Sequence, residues 1–188
     1  MVKRFVAGFF FIFCCMFLNS CGYRFGCGGV LCQYESICVP YVEGDHDGHL
    51  TAELIKEFEA SGVIKYCHQA ADVVLEVKLL DFREENIGFR YDHDSTGNLT
   101  DNVIPSETRL TVLAEVIVTE RCSHESIFGP DLISTSVDYD HDYYSNHGGA
   151  NVFSLGQLND IDLAQQMAYR PLVRALARRI TEHVINNW

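Results

Sequence analysis

Two stretches of the chain alternate apolar and polar residues, and that alternation restricts the fold more than any other feature. In Asp72 to Phe82, Val73, Leu75, Val77 and Leu79 fall on one side while Glu76 and Lys78 fall on the other. Arg109 to Thr119 repeats the pattern, with Leu110, Val112, Ala114, Val116 and Val118 on one side. Opposite them stand Arg109, Thr111, Glu115 and Thr119, although Leu113 and Ile117 blur the contrast. Successive side chains of a strand point to opposite faces, so a period of two marks a strand buried on one face only. The first run is expected to resume over Ile87 to Tyr91, before a turn at Ser95-Thr96-Gly97-Asn98. Leu132 to Tyr139, with Ile133, Val137 and Tyr139 aligned, is a weaker third strand. Short connections without helices between these runs predict an antiparallel meander.

Helical spacing frames the meander. Leu50, Leu54, Ile55 and Phe58 recur on one face from His49 to Ser61, and Gly62 is a plausible stop. From Asp160 to Asn186, Leu172, Leu176, Ile180 and Val184 step by four into a second stripe. Asp160 suits an N-cap, and Pro171 is expected to kink this helix or split it. Ile37 to Val42 reads as a short strand whose Pro40 lacks a ladder donor, so an edge position or a late start is expected. The predicted class is α+β: an antiparallel or mixed sheet of about four strands with two helices on one face. A chain of 188 residues, 47% hydrophobic, can supply one such core, expected over residues 35–188.

The first twenty residues read as an address. Lys3 and Arg4 precede an uncharged apolar run from Phe5 to Leu18, shorter than the roughly twenty residues that span a bilayer. A basic start and a short apolar middle match a secretory signal. Leu18-Asn19-Ser20-Cys21 then resembles a bacterial lipobox, which would make Cys21 the lipid-modified N-terminus of the mature protein. The alternative is an ordinary signal followed by a coincidental cysteine. Gly22, in place of the aspartate that favours inner-membrane retention, points to a lipid-anchored, periplasm-facing site on the outer membrane. Residues 21–34, with four glycines from Gly22 to Gly29, suit a flexible tether.

Loss of residues 1–20 removes two basic groups and no acidic ones, leaving 12 basic against 26 acidic and a net charge of −14. Such a surface argues against sequence-independent nucleic-acid binding, which needs basic residues to release counterions. Beyond Cys21 the mature chain keeps Cys27, Cys32, Cys38, Cys67 and Cys122, an odd number that leaves at least one thiol free or paired with another molecule. An exported location permits disulfides, but their connectivity is not legible. The gaps between Cys27, Cys32 and Cys38 are wider than usual zinc-ligand spacing, so no metal site is assigned to them.

Arg170, Arg174 and Arg178 share one helix face, with Arg179 beside them. Arginine forks suit phosphate oxygens, so this stripe is a candidate contact for lipid phosphates or acidic loops of a barrel. A solvated face paired with acidic neighbours is the plainer reading. Asp-His-Asp occurs three times, at Asp45-His46-Asp47, Asp92-His93-Asp94 and Asp140-His141-Asp142, with His49 and His147 near two of them. Convergent loops of this type can bind zinc, but solvated turns explain them more simply, and neither metal nor cofactor is expected. Tyr139, Tyr143 and Tyr144 suit either an aromatic contact surface or strand-end packing. There is no Gly-x-Ser-x-Gly elbow, phosphate loop or His-Glu-x-x-His pair, so the chain is not expected to be an enzyme.

Several segments, in order, carry a resemblance. They are Cys21-Gly22-Tyr23-Arg24-Phe25, then Ile37-Cys38-Val39-Pro40-Tyr41-Val42, then Leu50-Thr51-Ala52-Glu53-Leu54 through Phe58 and Gly62. Ala71-Asp72-Val73-Val74-Leu75-Glu76 follows, then the turn at Gly97, the strand from Arg109, and Leu172, Leu176, Ala177, Arg179 and Ile180 of the last helix. Together they resemble the LptE family of lipopolysaccharide-assembly lipoproteins over nearly the whole mature chain. The resemblance implies pairing with LptD, a large outer-membrane β-barrel, as a partial plug, and a part in placing lipopolysaccharide in the outer leaflet without covalent chemistry. It also implies contact with lipopolysaccharide itself, which the acidic surface disfavours at long range, although screening confines that repulsion to about 8 to 10 Å. Two readings compete with it: a structural envelope lipoprotein cross-linked through its cysteines, and a periplasmic metal-binding lipoprotein resting on the Asp-His-Asp loops.

Overall fold

The structure is a computed structural model, and it describes residues 30–94, 96–141, 143 and 161–186. The signal segment 1–20, Cys21, the tether to residue 29 with Cys27, and Ser95, Asp142, Tyr144, His147 and Asp160 lie outside these, as does the side chain of Cys32. After one 3-10 turn at Val30–Gln33 come β1 (Ser36–Cys38), α1 (His49–Ser61), β2 (Lys65–Tyr66), β3 (Val73–His93), β4 (Leu99–Glu120), β5 (Ser126–Asp140) and α2 (Ile161–Asn186). The strands form one mixed sheet in the order β2-β1-β3-β4-β5. β1 runs parallel to β2 and to β3, whereas β3, β4 and β5 make the expected antiparallel meander.

The sheet therefore has five strands where about four were expected. The additional one, β2, contains two residues, too few to show any alternation. β1 ends at Cys38, before Pro40, and lies between β2 and β3 and not at an edge. The chain beyond Pro40 still follows β3: Glu43 N–H donates to the Val77 carbonyl at 3.0 Å, and Leu79 N–H donates to the Glu43 carbonyl at 2.9 Å.

β3 is continuous where the sequence suggested a break. Its register against β4 shifts between Leu79 and Asp81 and again between Asn86 and Gly88. A bulge adds one residue to one strand, so it inverts the apparent alternation without ending the pairing. Before the first bulge Val73, Leu75 and Val77 are buried; after it Phe82 faces Val112 and Glu84 faces Leu110, and both partners in β4 are core residues. At the second bulge a Cβ on Gly88 would stand 2.5 Å from the Glu107 Cβ, so only glycine allows the strands this close.

β5 pairs with β4 from Glu107 to Thr119 only. Beyond Glu107 the β3–β4 hairpin continues as a two-stranded ribbon, roughly 20 Å long at about 3.3 Å per residue. Asp94 closes its tip: the carboxylate accepts from Thr96 N–H at 2.8 Å, Thr96 O–H at 2.7 Å and Asn98 N–H at 2.9 Å. Those donors favour the ionised form and hold the Asp94 carboxyl down at about 2.

Both helices cover one face of the sheet. Leu50, Leu54 and Phe58 of α1 and Leu172, Leu176, Ile180 and Val184 of α2 pack with Val73, Leu75, Val77, Val112, Ala114, Val116 and Val118 in one buried cluster. Gly48 offers α1 no side-chain cap, so Asp45 takes that role, accepting from Thr51 N–H and Thr51 O–H at 2.9 Å each. Gly62, at φ 62°, ends α1 in the left-handed conformation. α2 runs unbroken through Pro171, so of the expected kink or split the split does not occur. Pro171 is itself exposed, while Ala164, Ala168, Leu172 and Val173 on either side stay buried, so both halves keep their small and apolar residues in the core.

Candidate functional site

The outward face of α2 carries Arg170, Arg174, Arg178 and Arg179, all exposed. They do not form one free basic stripe. Arg174 Nε lies 3.8 Å from the Glu53 carboxylate of α1, and Arg178 Nε donates to Glu182 at 2.9 Å. The Glu182 contact, with the Glu57 charge adding to it, raises the already high Arg178 value further. Among the described residues Arg170 and Arg179 have no such ion pair.

Arg170 stands at the rim of a cavity of about 620 Å³ between the loop entering α1, the middle of β3 and β4, and the first turns of α2. Phe82, Leu110 and Tyr169 supply its apolar surface, and His46, His49 and Arg170 bring basic groups to it. The Phe82 and Tyr169 rings stack with centroids 6.0 Å apart and planes at 27°. Gln165 donates an amide hydrogen bond to Glu84 across the same space. Burial first, then the charges of Asp45 and Asp47, raise the Tyr169 hydroxyl above its ordinary value, so it remains protonated and able to donate. The cavity combines aromatic walls with a rim of both signs, which suits an amphiphilic group or an inserted side chain.

Phe82 and Tyr169 were not singled out from the sequence, and Leu110 was read only as part of the apolar face of its strand. The bulge after Leu79 conceals the face of Phe82, because simple alternation turns it away from the helices. The protruding ribbon also exposes apolar groups: Phe89 and Tyr91 on β3, and Leu99 and Val103 on β4, with Tyr91 directly opposite Val103.

The three Asp-His-Asp triplets serve separate structural roles. Asp45 is buried and caps α1, while His46 and Asp47 line the cavity. Asp92 is buried near the far end of the ribbon, and Asp94 closes its tip. Asp140 pairs with Glu107 in the sheet register, and His141 is buried with Nε2 2.8 Å from the Thr108 hydroxyl. Among the described residues no group of three His, Cys, Asp or Glu side chains is placed to hold a metal ion. Tyr139 packs against the core cluster, its ring 5.9 Å from that of His141, which favours strand-end packing for that residue.

The lipopolysaccharide-assembly family LptE matches residues 34–186. No curated protein sequence matches the chain. Among solved structures, a protein from Xanthomonas campestris shares 8% identity at a TM-score of 0.50, covering 87% of this chain and 88% of that one. The rare lipoprotein B of Shewanella oneidensis shares 15% identity at a TM-score of 0.44, covering 80% and 90%. An uncharacterized lipoprotein B of Nitrosomonas europaea shares 11% identity at a TM-score of 0.48, covering 87% and 90%. At 8% identity the likeness to the Xanthomonas campestris protein speaks to the fold alone, whereas the family match spans all the elements of the sheet and both helices: the chain belongs to the lipopolysaccharide-assembly family LptE.

Proposed function

We propose that the mature chain is a lipid-anchored accessory protein, attached through Cys21 to the periplasm-facing side of the outer membrane, that plugs an LptD-like β-barrel and assists the assembly of lipopolysaccharide in the outer leaflet. The observation that carries this reading is the family match over residues 34–186.

The chemistry of the surface supports it. The sheet face away from the helices carries Glu76, Lys78, Glu115, Arg109 and Asp138, and Arg109 makes a two-pronged contact with Asp138 at 2.7 and 2.8 Å. Charged ladders of this kind suit the polar lumen of a barrel and are incompatible with hydrocarbon. Among the described residues no helix is long and apolar enough to cross a membrane. The proposed role is binding, without a covalent step or a cofactor. Arg170 and Arg179, the two of the four α2 arginines without an acidic partner among the described residues, are the α2 groups best suited to phosphate oxygens of the glycolipid or to acidic barrel loops.

Affinity capture from detergent-solubilised outer membrane tests the pairing. The expected result is co-purification of one large β-barrel protein. Arg170→Glu with Arg179→Glu is expected to weaken barrel or glycolipid capture at an unchanged melting temperature. Unaltered capture of both would remove the arginines from the site, and failure to capture any barrel would remove the plug role.

A further inference from the structure

The family's assembly role leaves three described cysteines unexplained, and two of them are neighbours in the sheet. The parallel register of β1 and β2 aligns Ser36 with Lys65 and Ile37 with Tyr66. The next step along it sets Cys38 beside Cys67, and Cys67 N–H donates to the Ile37 carbonyl at 2.9 Å. Adjacent strands lie about 4.8 Å apart, inside the roughly 4.4–6.8 Å between Cα atoms that a disulfide bridges. Ile37 is fully buried and Tyr66 packs against the core cluster, so both cysteines project to the other side of the sheet. The Cys38 thiol already reaches across the gap, its Sγ 3.5 Å from the carbonyl oxygen of His68. Cys38 is held on its other side by its register pair with Val74 of β3, whereas β2 ends at Tyr66, so the Cys67 side of the pair is the one that can adjust.

We propose that Cys38 and Cys67 are a dithiol site that an external disulfide converts into an intramolecular Cys38–Cys67 bridge. Both are partly exposed, so such a donor can reach them. One thiolate attacks the donor disulfide, forming a mixed disulfide and releasing one thiol. The second thiolate attacks the protein sulfur of that intermediate and releases the other. The pair loses two protons and two electrons, and the donor disulfide is reduced to two thiols. Cys122 is excluded from the bridge: it is exposed two residues beyond the end of β4, and the full width of β3 separates it from Cys38, about 10 Å from two strand spacings. The bridge ties β2, held by two register pairs, to interior β1 and closes the segment that carries α1 into a ring.

The test uses the full chain in detergent, incubated with glutathione disulfide, alkylated with N-ethylmaleimide and digested without reduction. The expected product is a Cys38 peptide joined to a Cys67 peptide, lighter than the two thiol peptides by two hydrogen atoms, with Cys122 outside the link. Cys122→Ser should leave the link intact, and Cys38→Ser should turn Cys67 into a glutathione adduct or an alkylated thiol. Alkylation of both Cys38 and Cys67 in the treated wild type, or linkage of either to a different cysteine, would overturn the proposal. Barrel capture is measured separately, so failure of either result leaves the other standing.

Discussion

The bulge after Leu79 places Phe82 against Tyr169, and a double-mutant cycle measures that contact. Phe82 retains 43% of its exposure, so its truncation removes only part of the roughly 1.5–3 kcal/mol that full burial of such a side chain supplies. The stacked geometry, with centroids 6.0 Å apart, adds a coupling of about 0.5–1.5 kcal/mol between the rings. Urea denaturation of the wild type, Phe82→Ala, Tyr169→Ala and the double variant, followed by circular dichroism, isolates that coupling. The double variant should be less destabilised than the sum of the singles by about that amount. Arg83→Ala, on the opposite face of the same strand, should be additive with Tyr169→Ala. Additivity of the Phe82 pair within about 0.3 kcal/mol would refute the face assignment, and with it the aromatic wall of the cavity.

Two further outcomes follow from the local geometry. Because the Asp94 carboxyl is held at about 2, below an ordinary carboxylate, its contribution to the hairpin tip is complete above about pH 4 and disappears as the pH falls through about 2. Protection of the Thr96 and Asn98 amides, taken relative to their intrinsic exchange rates, should fall over that interval in the wild type but stay low throughout in Asp94→Ala; an Asp94 titration at the ordinary carboxylate value would contradict the turn. A Cβ at Gly62 meets nothing within 4 Å, so Gly62→Ala suffers only from its left-handed backbone, costing about 1 kcal/mol and lowering the melting temperature by roughly 2–4 °C. Gly62→Asn should lose less, and a higher melting temperature for Gly62→Ala would disprove the cap.

The legible parts of the fold were those with local causes. The period-two runs around Leu75 and Val116 and the four-residue stripe from Leu172 to Val184 reflect burial of one face, which any single segment reveals. The less legible parts depend on distant partners. β2 has no pattern of its own and exists because β1 lies beside it. The bulge at Leu80 keeps the core face of β3 in register with Val112 while shifting the sequence parity, so one long strand reads as two. The arginines of α2 were visible, but the partner that engages Arg174, Glu53, comes from the other helix. The Asp-His-Asp repeats looked alike in sequence although one aspartate caps a helix, another closes a hairpin and a third lies in a strand ladder. Short polar side chains satisfy backbone donors in many contexts, and sequence spacing does not say which donor will be near.

Depletion of this chain in its own bacterium, followed by quantification of lipopolysaccharide in the outer leaflet, is the decisive experiment for the proposed assembly role. The expected result is loss of surface lipopolysaccharide with precursor retained inside the envelope, restored by the wild-type chain. Normal surface lipopolysaccharide after complete depletion would contradict it.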